Sequence, residues 1–259
     1  MLFPRIIPCL LVKNNGLVKT VNFKDPVYVG DPINAVKIFN EKSVDELIVL
    51  DIDASVKNNE PNYKMIKNLA IESRMPLCYG GGIKTKEQAL KILGMGVEKI
   101  ALSSVVIDNP DLISEISETI GSQSIVVVLD VKKKRFSSKY QLFTHNGTLS
   151  SKIEPGDFAE KAEKMGAGEI VINSIDKDGS MKGYDLNIID QVREKITIPL
   201  TILGGAGSLD DVGNIISKYR IIGIAAGSLF VFKGKYKAVL INYPNPEEKE
   251  KLIEGAMQA

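Results

Sequence analysis

With 259 residues, 44% of them hydrophobic, the chain has the apolar content for a full core and fits one α/β barrel or two small domains. Thirty-three basic and 32 acidic side chains leave a net charge of +1, which gives no electrostatic case for nucleic acid or a membrane surface as partner. Cys9 and Cys78 both lie inside apolar runs and read as buried thiols in a reducing cytoplasm; the start Met1-Leu2-Phe3-Pro4-Arg5 has no long apolar leader, and no run approaches membrane-span length.

Taken in chain order, short β-branched runs alternate with amphipathic stretches. The expected strands are Ile6–Val12, Leu47–Ile52, Leu77–Tyr79, Lys99–Leu102, Ile125–Val131, Ile170–Asn173, Leu200–Leu203 and Ile221–Ala225. Helix starts stand between them: Asp31-Pro32 precedes Ile33–Asn40, and Asn109-Pro110 precedes Asp111–Thr119. Apolar strands separated by helices imply a parallel sheet covered on its outer face. Eight βα units in this length match a (β/α)8 barrel, the TIM barrel, better than a doubly wound sheet. No Pro/Ser-rich linker divides the chain, so residues 1–259 read as a single barrel domain.

The chain repeats itself. Gly80-Gly81-Gly82-Ile83 is followed 22 residues after Gly82 by Ser104, and Gly204-Gly205-Ala206-Gly207 is followed 23 residues after Gly205 by Ser228. Glycines let a backbone approach a ligand closely, and free N–H groups at a helix start attract anions. Two such units point to two phosphate sites and a ligand with a phosphate at each end. The likeness extends outward: Leu10-Leu11-Val12-Lys13 parallels Leu129-Asp130-Val131-Lys132, Glu46-Leu47-Ile48-Val49 parallels Glu169-Ile170-Val171-Ile172, and Ile52-Asp53 parallels Ile175-Asp176. Strands one to four and five to eight thus form two duplicated half-barrels.

Barrel chemistry sits at the C-terminal strand ends. That rule selects Leu11, Asp51, Gly82, Ser103, Ser104, Asp130, Asp176, Asp178, Gly179, Gly205, Gly227 and Ser228. His145, the one histidine, follows Phe143-Thr144 in a polar loop and reads as solvent-exposed. No Cys/His cluster has metal-ligand spacing, so neither a metal nor a cofactor is expected. Lys132-Lys133-Lys134-Arg135 reads as a solvated loop rather than an anion site.

These residues, in this order, resemble the cyclase subunit of imidazole glycerol phosphate synthase from histidine biosynthesis. The resemblance runs to about Gly234 and rests on Arg5-Ile6-Ile7-Pro8-Cys9-Leu10, Val18-Lys19, Gly30-Asp31-Pro32, Asp51-Ile52, Gly121-Ser122-Gln123, Gly166-Ala167-Gly168-Glu169, Asp176-Lys177-Asp178-Gly179, Gly183-Tyr184-Asp185-Leu186 and both glycine runs. Such a subunit takes ammonia from a glutaminase partner and cleaves and cyclises a bis-phosphorylated ribulosyl nucleotide at the barrel mouth. The resemblance implies catalytic roles for Asp130 and for Lys19, the latter on a mobile first loop that closes over substrate. It assigns Gly82, Ser103 and Ser104 to one phosphate site, and Asp178, Gly179, Gly205, Gly227 and Ser228 to the other, with Asp51 and Asp176 as further substrate contacts. At the opposite face, Arg5, Glu46, Lys99 and Glu169 match a ring of alternating charge around an ammonia gate, and Glu98 matches a residue that docks the glutaminase.

The sequence departs from the family where the first half should supply its own carboxylate. The family uses two aspartates as general acid and base; here Asp130 faces Leu11, which transfers no proton. Asp53 stands where the family more often has Thr, and Ser103 where it usually has Asn. Leu10-Leu11-Val12-Lys13, Leu17–Val21 and Asp51-Ile52-Asp53-Ala54-Ser55 resemble a paralogous branch linked to acetamidino sugars of surface polysaccharides, lipopolysaccharide included. The expectation is a cytoplasmic heterodimer with a glutaminase whose ammonia serves a separate amidotransferase acting on a nucleotide sugar. The alternatives are an authentic cyclase of histidine biosynthesis that tolerates Leu11, and a non-catalytic ammonia conduit that regulates the glutaminase.

Overall fold

The computed structural model describes residues 3–135 and 137–258; Met1 and Leu2 of the expected leader-free start lie outside them, as do Phe136 and Ala259. β1 (Arg5–Lys13) is followed by an antiparallel hairpin of β2 (Gly16–Val21) and β3 (Lys24–Gly30), then α1 (Pro32–Glu41). Next come β4 (Leu47–Asp51) with α2 (Tyr63–Glu72), β5 (Leu77–Gly80) with α3 (Lys86–Leu93), and β6 (Lys99–Leu102) with α4 (Ser104–Asp108) and α5 (Asp111–Ile120). The second half opens with β7 (Ile125–Lys133), which carries its own antiparallel excursion, β8 (Tyr140–Thr144) and β9 (Leu149–Ser150), before α6 (Pro155–Lys164). It continues through β10 (Glu169–Ser174), α7 (Leu186–Arg193), β11 (Leu200–Leu203), α8 (Leu209–Tyr219), β12 (Gly223–Ala226) and α9 (Ser228–Val231). A short hairpin of β13 (Phe232–Lys233) and β14 (Ala238–Val239) leads to α10 (Pro246–Gln258).

Among the described residues eight parallel strands, β1, β4, β5, β6, β7, β10, β11 and β12, close on themselves through pairings of β12 with β1 and of β7 with β10. The (β/α)8 barrel expected from the alternation is present. Strand period two divides the side chains. Ile7 and Cys9 of β1 point into the lumen with Ile48, Cys78, Val126 and Val128, while Ile6, Leu10 and Val12 point out to the helices. Local chemistry fixes the helix starts: Asp31 accepts the Asn34 N–H at 2.8 Å, and Pro32 occupies the first turn of α1, where its missing N–H costs nothing. Among the described residues no helix is long and apolar enough to cross a membrane.

Two segments differ from the sequence reading. The expected last strand Ile221–Ala225 is Gly223–Ala226: Ile221 is exposed, and the pairing with β1 starts at Gly223, opposite Arg5. The stretch bearing Lys19 is not a loop but strand β2, with Leu11 opposite Val18. The C-terminal segment, for which the sequence suggested no role, supplies the outer helix of the eighth unit: α10 packs on α8, and Arg220 donates to the Met257 carbonyl at 2.6 Å.

Candidate active site

Inward side chains of β1 run Arg5, Ile7, Cys9, Leu11, and those of β7 run Val126, Val128, Asp130, so Leu11 and Asp130 end their strands at the same level of the mouth. Both line the main cavity. Asp130 is held from each side: Asn173, its register partner on β10, donates to Oδ1 at 2.9 Å, and Ser103 donates to Oδ2 at 3.3 Å. Burial pushes the Asp130 carboxyl up to about 7, against the pull of those two hydrogen bonds and with a further push from Asp178. A carboxyl that changes charge near neutrality suits general acid–base work. Around Leu11 the equivalent places hold Leu50, its partner on β4, and Gly227, which precedes α9 as Ser103 precedes α4. The polar set of the second half is thus matched by an apolar set in the first.

Because the folded value of Asp130 lies above that of an unfolded aspartate, its contribution to stability is fully present below about pH 4 and is lost as the pH rises through 7. Asp130→Asn, which cannot ionise, is therefore expected to gain about 4 kcal/mol on the native chain between pH 4 and pH 8. Urea midpoints at the two pH values check this; the same difference at both would show that the carboxyl titrates normally.

The β2–β3 hairpin roofs the mouth. Lys19 is buried, its ammonium donating to the Cys9 carbonyl at 2.9 Å. Burial draws the Lys19 amine below its ordinary value, partly offset by Cys9 and the Asp178 carboxylate. A Cβ on Gly227 would collide with the Lys19 Nζ, so the bare backbone there makes room for the ammonium. The hairpin end is pinned to the loop after β10: Thr20 donates to Asp178 Oδ2 at 2.7 Å, the Phe23 N–H to the same oxygen at 3.0 Å, and the Asn22 N–H to the Asp178 carbonyl at 3.0 Å. Gly179, at φ +64°, lies flat against the Thr20 carbonyl, where a side chain would clash.

Gly82, Ser103 and Ser104 line one side of this cavity, and Asp178, Gly179, Gly205, Gly227 and Ser228 the other, so the two repeat units face each other across it. Asp51 also lines it; burial raises its carboxyl, while the Asp53 and Ala54 N–H groups bind Oδ1 at 3.1 and 3.2 Å and hold it back. Asp176 does not join them. It is exposed, and its Oδ2 caps the Lys133 N–H at 2.9 Å, which makes it a brace for the end of β7. Cys9 lies beneath the site with its thiol pushed up to about 12, chiefly by burial, and so stays protonated.

At the N-terminal face Arg5, Glu46, Lys99 and Glu169 form the alternating ring. Arg5 pairs with Glu46, and reaches Glu169 at 2.7 Å; Lys99 reaches Glu46 and Glu169 at 2.9 Å each. Thr201 is a member the sequence reading missed, donating to Glu169 Oε1 at 2.5 Å. A fully buried hydroxyl at the second position of an otherwise apolar strand was the available signal. Asn173 was missed in the same way, as the polar residue ending the Ile170–Ile172 run. Burial alone would raise Glu169, but Arg5 and Lys99 outweigh it and hold the carboxyl below its ordinary value. Glu98 is exposed beside the ring, its Oε2 accepting the Leu77 N–H at 2.7 Å.

Residues 5–237 match the family model described as "Histidine biosynthesis protein". The chain is 57% identical over 254 residues, 98% of each protein, to the "Putative imidazole glycerol phosphate synthase subunit hisF3" of Vibrio vulnificus. It is 50% identical to the "Putative imidazole glycerol phosphate synthase subunit hisF2" of Pseudomonas aeruginosa, over 93% of this chain and 96% of that one. To the "Imidazole glycerol phosphate synthase subunit HisF" of Lactococcus lactis it is 36% identical, over all of this chain and 97% of the relative. With the duplicated barrel, the facing glycine units and the Asp130 pocket, these matches make the chain a member of the cyclase-subunit family of imidazole glycerol phosphate synthase.

Proposed function

We propose that this barrel works with a glutaminase that feeds ammonia through the Arg5–Glu46–Lys99–Glu169 ring, and that it serves amidination of a nucleotide sugar rather than histidine biosynthesis. One observation carries the reading. Leu11, Leu50 and Gly227 occupy the places that Asp130, Asn173 and Ser103 occupy in the other half, so one partner of the acid–base pair is absent together with its hydrogen-bonding support. The ring at the opposite end keeps all its charges and closes every pair. The relatives compared at 50–57% identity carry the qualified synthase name, whereas those at 36–40% carry it unqualified.

Purified chain given ammonium salt and the ribulosyl nucleotide is expected to turn over barely above background, since losing one member of a cooperating pair costs about 10²–10⁴-fold. Turnover near that of a two-aspartate enzyme would sink the proposal. It would favour the second reading, an authentic cyclase working through Asp130 with Lys19, which the intact Asp130 pocket and both glycine cradles support. Whether the barrel catalyses or only conducts is settled with Asp130→Asn in a glutaminase-coupled amidination assay. An unchanged rate there assigns it the conduit role.

A further inference from the structure

The seam between β1 and β4 below the mouth is not closed by backbone. β1 pairs with β4 only from Cys9 onward, opposite Ile48, while its first residues Arg5 to Pro8 pair with β12 on the other side. Ile6 therefore has an N–H and a carbonyl facing β4 with no strand to meet them, and buried backbone groups need partners. Two side chains supply them. Asp45 Oδ2 accepts the Ile6 N–H at 2.9 Å, and the Tyr243 hydroxyl donates to the Ile6 carbonyl at 2.9 Å. Tyr243 OH also lies 3.4 Å from Asp45 Oδ2; its single proton serves the shorter contact. Lys249, in the first turns of α10, donates to Asp45 Oδ1 at 2.6 Å. Tyr243 is itself buried, its ring 5.2 Å from that of Phe230.

The two residues bridged by this plug are direct chain neighbours of the charge ring. Ile6 follows Arg5, and Asp45 precedes Glu46. We propose that Asp45 is a positioning residue for the ring, gripped by Tyr243 and Lys249, so that the C-terminal segment sets how firmly the Arg5–Glu46 pair is held. The proposal rests on the reading of the ring as an ammonia entrance. It gives the C-terminal segment a part in admission of ammonia, at the face opposite the ligand cavity, without touching ammonia itself.

Two substitutions loosen the plug without emptying it. Tyr243→Phe keeps the ring packing and removes the hydroxyl; Lys249→Met removes the charge, and Lys249→Arg is the rescue. In the full chain, exchange of the Arg5 Hη protons that bind Glu46 and Glu169, followed by nitrogen NMR, is expected to quicken about tenfold in the Tyr243→Phe/Lys249→Met double variant. The Ile172 amide on β10 serves as the reference for global opening and should not change, and Lys249→Arg with Tyr243 intact should keep the native rate. Unchanged Arg5 exchange, or equal quickening at Ile172, overturns the proposal. The second arm uses the complex with glutaminase, fed amide-labelled glutamine in unlabelled ammonium buffer with the ribulosyl nucleotide. Mass spectrometry reads the labelled share of even a trace of product, so low turnover does not blunt it. The share should fall to about half or less in both the double variant and Arg5→Ala. A fall in Arg5→Ala alone overturns the positioning role and leaves the entrance standing; no fall in either overturns the entrance, and the positioning role with it.

Discussion

Leu11→Asp is expected to raise ammonium-dependent cyclisation of the ribulosyl nucleotide by about 10²–10⁴-fold, the usual range for a restored member of an acid–base pair. Leu11 already ends its strand at the level of Asp130 and lines the same cavity, so the new carboxylate needs no backbone movement to reach the mouth. Its surroundings set where in the range the gain falls. Asp130 has an amide at 2.9 Å and a hydroxyl at 3.3 Å, whereas Leu50 and Gly227 offer position 11 no side-chain donor. A carboxyl among apolar neighbours is pushed up by burial and held in no fixed orientation. Leu11→Asp alone should therefore reach the lower part of the range, and adding Leu50→Asn should raise it further by supplying the donor that Asn173 supplies across the barrel. Steady-state rates with ammonium chloride, with no glutaminase present, measure both steps. No gain in either variant would show that the cavity has lost more than one carboxylate.

Arg5→Ala is expected to destabilise the barrel by about 3 kcal/mol, because it leaves buried carboxylates short of a partner. Glu46 and Glu169 are both about 95% buried, and without Arg5 they share the single ammonium of Lys99. The pH dependence has a definite sign. Glu169 sits below the ordinary glutamate value, so the ring's contribution is present above about pH 4 and is lost as the pH falls through the folded value. The native chain and Arg5→Ala should accordingly converge in stability under acid and diverge toward neutrality. Chemical denaturation from pH 3 to 7 follows the gap; a constant gap would mean that the loss is one of packing and not of charge.

Much of the barrel was legible because its strands are buried on both faces and so read as unbroken apolar runs, as in Ile125–Val131. The β2–β3 hairpin was not. Lys24-Asp25-Pro26 opens β3 with charge and a proline, as an outer strand allows, and its exposed Val27 and Tyr28 break the alternation that marks a half-buried strand. Asp130 was visible through the internal repeat, since a lone aspartate opposite a leucine stands out when two halves are laid together. Its supports were hidden: Asn173 and Ser103 come 43 residues after and 27 before it, and only closure of the barrel brings them to one carboxyl. Asp176 is the converse case. Its place in the repeat matched a site position, but the turn after β10 points it outward, to the Lys133 backbone.

The register that sets Leu11 against Leu50 and Asp130 against Asn173 gives the two halves interchangeable outlines but different contents. A tandem of two second halves, each running from β7 through α10, would be a chimera with two aspartate pockets and no lysine roof. A tandem of two first halves would have two roofs and no titrating carboxyl at the strand ends of positions 11 and 130. In the present chain the two halves divide the work: the second supplies the titrating carboxyl, and the first the lysine that roofs it.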